Sequence, residues 1–66
     1  EGDSRLHTVR VRAGLSQSEL SRHSGVALRS IQMYEQRRKD LGKAAVFTVL
    51  ALARTLGCRI EDLLEP

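Results

Sequence analysis

Apolar residues recur at helical spacing along most of this chain, and short polar or glycine-containing breaks separate the runs. Leu6, Val9 and Ala13 fall on one side of a first helix, with Arg10 at the edge of the stripe. After Gly14 and Leu15, the segment Ser16-Gln17-Ser18-Glu19 opens a second helix that runs to the break Ser24-Gly25-Val26. At about 100° per residue, Ala27, Ile31 and Tyr34 share a narrow arc of a third helix, with Glu35 at its margin. Val46, Val49, Leu50, Ala53 and Leu56 make the inward stripe of a fourth, which Gly57 stops. A last turn-and-helix, Arg59 to Glu65, sets Ile60, Leu63 and Leu64 back against it. Every predicted element is a helix.

The second and third helices carry the clearest local signals. Ser16 and Glu19 have the S-x-x-E form of a capping box, and Leu15 and Leu20 are placed for a hydrophobic staple. Gln17 falls in the first turn, beside free backbone donors and the positive end of the dipole, where a phosphate is held well. Beyond the Gly25 break, Leu28, Arg29, Gln32, Met33 and Gln36 lie opposite the apolar arc of the third helix. Most such faces are simply solvated. Here two long apolar side chains, Leu28 and Met33, argue for a partner. A helix presented on a short fixed turn is a common way to enter the major groove of DNA. Arg pairs bidentately with guanine, Gln with adenine, and Leu or Met touches a thymine methyl.

The string Leu6, Arg10, Gly14, Leu15, Ser16, Gln17 resembles the opening of the phage repressor and Cro (XRE) helix-turn-helix family. Leu20, Gly25, Val26, Ile31 and Glu35 continue that pattern, and residues 50–57 and 60–64 resemble its last two helices. The resemblance spans roughly residues 5 to 65 and implies a compact, lambda-repressor-like five-helix bundle. In such a fold the second helix sits over the DNA backbone, and the third, about residues 28–36, reads bases.

Transferred position by position, the resemblance implies base contacts from Leu28, Arg29, Gln32 and Met33. Phosphate contacts are expected from Gln17, Ser30, Gln36 and the basic loop Arg37, Arg38, Lys39 and Lys43. Arg10 and Glu35 match a buried ion pair tying the first helix to the third. The chain also departs from the family. Ser21 and Ser24 replace a small alanine and an apolar residue, and Ala27 stands where a Ser or Thr cap is usual. The loop after Glu35 is about three residues longer than the usual spacing, and Phe47 takes a position that is commonly polar. Packing of Phe47 under that loop and exposure to a partner are both open.

Charge sharpens the picture. The formal net charge is +3, yet residues 5–43 hold nine basic against three acidic residues, and the remainder holds two against five. The positive segment coincides with the predicted DNA-facing half, which favours a polyanion and a salt-dependent affinity. A solvated loop remains the plainer account of Arg37-Arg38-Lys39 taken alone.

Other chemistry is sparse. One cysteine excludes an internal disulfide and suits a reducing cytoplasm, where the protein is expected. Cys58 stands where the family commonly has valine, so a small buried apolar role is expected. Cys58, His7 and His23 lack metal-ligand spacing, so no metal or other cofactor is expected. His23 reads as a surface residue near a helix end. No catalytic grouping occurs, and the chain is read as a non-enzyme. No apolar run approaches 18 residues, so no membrane span is expected.

Sixty-six residues allow one domain, residues 5–65, after a tail at 1–4 expected to be disordered or a cloning remnant. Met33 is the sole methionine, so the chain is read as an excised piece, with a further domain or partner expected beyond Pro66. The expected partner is double-stranded DNA, bound as a homodimer on mirrored half-sites. Two rivals stand beside it: a protein-interaction module using Leu28 and Met33, and the antitoxin of a toxin–antitoxin pair.

Overall fold

The computed structural model describes residues 2–66, so Glu1, part of the expected tail, lies outside the described residues. Four α-helices follow one another: α1 (Arg5–Arg12), α2 (Gln17–Ser24), α3 (Leu28–Glu35) and α4 (Val46–Leu56). Two 3-10 turns, Leu41–Lys43 and Ile60–Asp62, complete the regular structure, and no strand occurs among the described residues. Ser4, grouped with the tail on sequence grounds, is buried and caps α1 by accepting from the His7 amide at 3.0 Å.

The core forms where the helices' apolar faces converge. Leu6 of α1, Leu20 of α2, Ile31 of α3, Leu52 of α4 and Leu63 after the last turn are all below 2% exposed. Burying a side chain of this kind contributes about 1.5–3 kcal/mol, so α1, α2 and α3 each have one deep apolar anchor, while α4 adds Val49 and Ala53 to Leu52. α2 packs on both α3 and α4, and α1 reaches α3 and the final turn. The third helix is therefore braced from two sides.

Several expected inward positions are corrected by this packing. Ala13, Ala27 and Val46 are exposed, because each sits at or beside a helix end, past the reach of the core. Arg10, expected at the edge of its stripe, is only 9% exposed. Leu52 fills the core, since α4 is enclosed over a wider arc than a single stripe. The segment expected as a fifth helix contains one 3-10 turn, with the Arg59 amide donating to Asp62 Oδ2 at 3.0 Å. So short a run gains few i→i−4 bonds, and the tighter turn suffices to bring Leu63 inward.

Candidate nucleic-acid interface

The turn between α2 and α3 is fixed at both edges. Ser16 Oγ accepts from the Glu19 amide at 3.0 Å, and Glu19 Oε1 accepts from the Ser16 amide at 2.8 Å, so the expected capping box is formed. That backbone bond and the Ser16 hydroxyl hold the Glu19 carboxyl below its ordinary range. Gly25 ends α2 at φ 80°, a left-handed conformation that glycine adopts without steric cost. Ser21 Oγ donates to the Val26 carbonyl at 2.6 Å, and Ser24 Oγ accepts from the Val26 amide at 3.1 Å. The two serines that depart from the family pattern thus clamp Val26. Ala27, which follows, begins α3 with no side-chain cap.

Leu28, Arg29 and Gln36 are exposed on the outward face of α3, and Gln32 and Met33 are half-buried there. Arg29, Gln32 and Gln36 form no side-chain hydrogen bond among the described residues. Their donors and acceptors face solvent on one side of a helix braced on the other. Ser30 stands elsewhere. With Tyr34 it borders a shallow groove against Phe47 and Thr48 of α4, away from the face that carries Arg29. Phe47 is 83% exposed, so it packs under no loop.

The basic loop divides into two kinds of residue. Arg37 adopts φ 59°, unusual for a residue with a Cβ. Its guanidinium donates to the carbonyls of Gly2 at 2.7 Å and Asp3 at 3.0 Å, and lies 4.0 Å from Glu65. Its charge is engaged at the two chain ends, not offered with the outward face of α3. Arg38 and Lys39 are exposed, and both their amides donate to the Met33 carbonyl, at 2.9 and 3.3 Å. Asp40 Oδ1 then accepts from the Gly42 amide at 2.8 Å, while Leu41 turns into the core and Lys43 stays exposed. The added loop length is absorbed by this anchored turn.

Arg10 and Glu35 form the expected pair, but two further side chains join it. Glu35 Oε2 accepts from Arg10 Nε at 2.6 Å, and Oε1 accepts from Arg10 Nη2 at 3.1 Å. Gln17 Nε2 also donates to Oε1, at 3.0 Å, and His7 Nδ1 lies 3.0 Å from the same oxygen. Arg10 Nη1 donates to the Leu15 carbonyl at 2.8 Å, tying in the residue before α2. Burial pushes the Glu35 carboxyl up, but the bonds from Arg10, His7 and Gln17 outweigh it and hold it below its ordinary range. The carboxylate in turn raises the Arg10 guanidinium. Gln17, expected at a phosphate, spends its carboxamide nitrogen inside the protein. His7 was missed on sequence grounds, although it sits three residues before Arg10 on the same helical face.

Cys58 is half-buried, and burial followed by the Asp62 charge pushes its thiol up, which disfavours a reactive thiolate. No group of three or more potential metal ligands occurs among the described residues, and none of their helices is long and apolar enough to cross a membrane.

A family model described as Helix-turn-helix, HTH_3, matches residues 6–63, almost the whole chain. No curated protein and no solved structure matches.

Proposed function

The chain belongs to the HTH_3 helix-turn-helix family, the type typified by phage repressors and Cro and a family of non-enzymatic DNA-binding domains, and we propose that it binds double-stranded DNA sequence-specifically as the DNA-binding domain of a bacterial or phage transcriptional regulator. In this reading α3 enters the major groove and presents Leu28, Arg29, Gln32 and Met33 to base edges. Arg38, Lys39, Lys43 and Gln36 meet phosphates beside it. Arg37 takes a supporting role instead, because its guanidinium is already held by Gly2 and Asp3. Ser30 borders the groove toward α4 and is left to that side.

The observation that carries the reading is the outward face of α3. Its polar side chains are uncommitted, its helix is anchored by Ile31 and Glu35, and exposed cations follow directly after it. A domain of this size reads few base pairs, so two copies about one helical turn apart on mirrored half-sites supply useful specificity. A cytoplasmic setting and a homodimer on DNA belong to the same proposal.

Selection of duplexes from a random pool, followed by a salt series on the enriched sequence, tests it. The expected result is an enriched motif whose affinity falls steeply with salt. No enrichment, with affinity indifferent to salt, would reject it. A protein-interaction module on the same fold is the second reading, favoured by Val46 and Phe47, which are 70% and 83% exposed on α4. Salt-indifferent behaviour in that series would bring it forward.

A further inference from the structure

His7 Nδ1 is within hydrogen-bond distance of two groups that ask opposite things of it. Arg10 Nη2, 3.1 Å away, is a donor only; Glu35 Oε1, 3.0 Å away, is an acceptor only. On the ring's other side, His7 Nε2 lies 3.7 Å from Asp3 Oδ2. These are the charged groups facing the ring: Asp3 from the N-terminal segment, Arg10 from its own helix and Glu35 from α3. From α2 comes the uncharged Gln17, which shares Oε1.

Each neutral form of the ring leaves one of these neighbours unmatched. With Nδ1 bare, it accepts from Arg10 but turns a lone pair toward the Glu35 carboxylate. With Nδ1 protonated, it donates to Glu35 but turns a bare Nε2 toward Asp3. The doubly protonated ring donates toward both carboxylates at once, against the neighbouring Arg10 charge and the loss of the bond that Arg10 Nη2 gives to a bare Nδ1. Oε1 then receives two charged donors, and the neutral Gln17 amide is the weakest of the three competing for it.

Resting on the reading of α2 and α3 as a DNA-docking unit, we propose that His7 is a proton-operated positioning residue: its charged ring takes over Glu35 Oε1 and frees the Gln17 carboxamide from Glu35 for a DNA phosphate. The side chain of His7 is 34% exposed, so protons reach it, while that of Glu35 is 4% exposed, so the exchange of partners happens inside the network. Gln17 begins α2 beside the free amides of its first turn, where a phosphate oxygen would be held jointly.

The test has two arms. In the first, NMR of the free domain follows the Gln17 side-chain amide from about pH 8 to about pH 5, the range over which histidines ordinarily change charge. The Gln17 amide is expected to shift in step with the His7 ring, and to stand still in His7→Gln. An amide unmoved while the ring titrates overturns the proposal. In the second, affinity for a random duplex is measured at fixed salt over the same range. It is expected to rise roughly fivefold toward low pH, the scale of one net hydrogen bond. That rise disappears in His7→Gln and in Gln17→Ala and survives in His23→Gln. A rise that persists in Gln17→Ala would show added charge alone and overturn the routing through Gln17. The first arm uses no DNA, so a responsive Gln17 amide in a domain that binds no duplex at any pH upholds the coupling and rejects the DNA reading instead.

Discussion

Arg10 Nε and Glu35 Oε2 meet at 2.6 Å across 25 residues of sequence, joining the last turn of α1 to the last turn of α3. Their side chains are only 11% and 4% exposed, so the contact is a shielded one and solvent screens it little. Replacing both partners by apolar residues need not be costly, but removing one leaves a buried charge alone.

Glu35→Gln keeps the shape of the side chain and strands the Arg10 guanidinium. The expected loss is about 3–5 kcal/mol, read by urea or thermal unfolding near neutral pH. The sign of its pH dependence follows from the depressed Glu35 carboxyl. Stability from that depression is fully present above the ordinary glutamate value of about 4.3. It is lost as pH falls through the lower folded value. The gap between the parent and Glu35→Gln should therefore narrow in acid. A gap that widens there would refute the assignment.

Arg29→Ala removes an exposed guanidinium that holds nothing inside the fold. Its unfolding midpoint should match the parent, while affinity for a selected site drops by about 1–3 kcal/mol and preference relaxes at one base position. Unchanged selectivity would remove Arg29 from the base-reading set.

Arg37 and Lys39 belong to one basic run, yet Arg37 is bonded to Gly2 and Asp3 while Lys39 is exposed. Lys39→Ala should weaken every duplex alike and reduce the salt slope by about one unit. Arg37→Ala should leave the slope unaltered and instead cost about 0.5–1.5 kcal/mol of stability, since two carbonyl contacts are lost. Equal salt slopes in the parent and Lys39→Ala would count against its phosphate role.

Ala27 has the extended backbone of a helix cap, with φ −58° and ψ 138°, but no side-chain acceptor for the free amides of α3. Ala27→Ser should add about 1 kcal/mol. For a domain of this size that is a rise of about 4–8 °C in Tm. A Tm equal to the parent's would mean that the α3 amides are already satisfied.

The elements that depend on local chemistry were legible in the sequence. Ser16 and Glu19 announce the start of α2, Gly25 and Gly57 mark the ends of α2 and α4, and helical spacing finds Ile31 and Val49. What stayed hidden depends on tertiary neighbours. Nothing near Arg37 in sequence shows that its guanidinium reaches Gly2 and Asp3, more than thirty residues away. Leu52 could be assigned to the core only once α4 is known to be covered on more than one side. Ser21 and Ser24 read only as small departures from the family pattern until Val26 supplies partners for both. His7 was the recoverable omission, because its spacing from Arg10 was visible.

Tyr34 lies half-buried on the inward flank of α3, bordering the groove toward α4 on one side and the hollow by Arg37 and Leu63 on the other. The chain has no tryptophan and no second tyrosine. Ultraviolet emission excited beyond the phenylalanine absorption band, which leaves Phe47 dark, therefore originates on α3 alone, and gives the seating of that helix an intrinsic optical reporter.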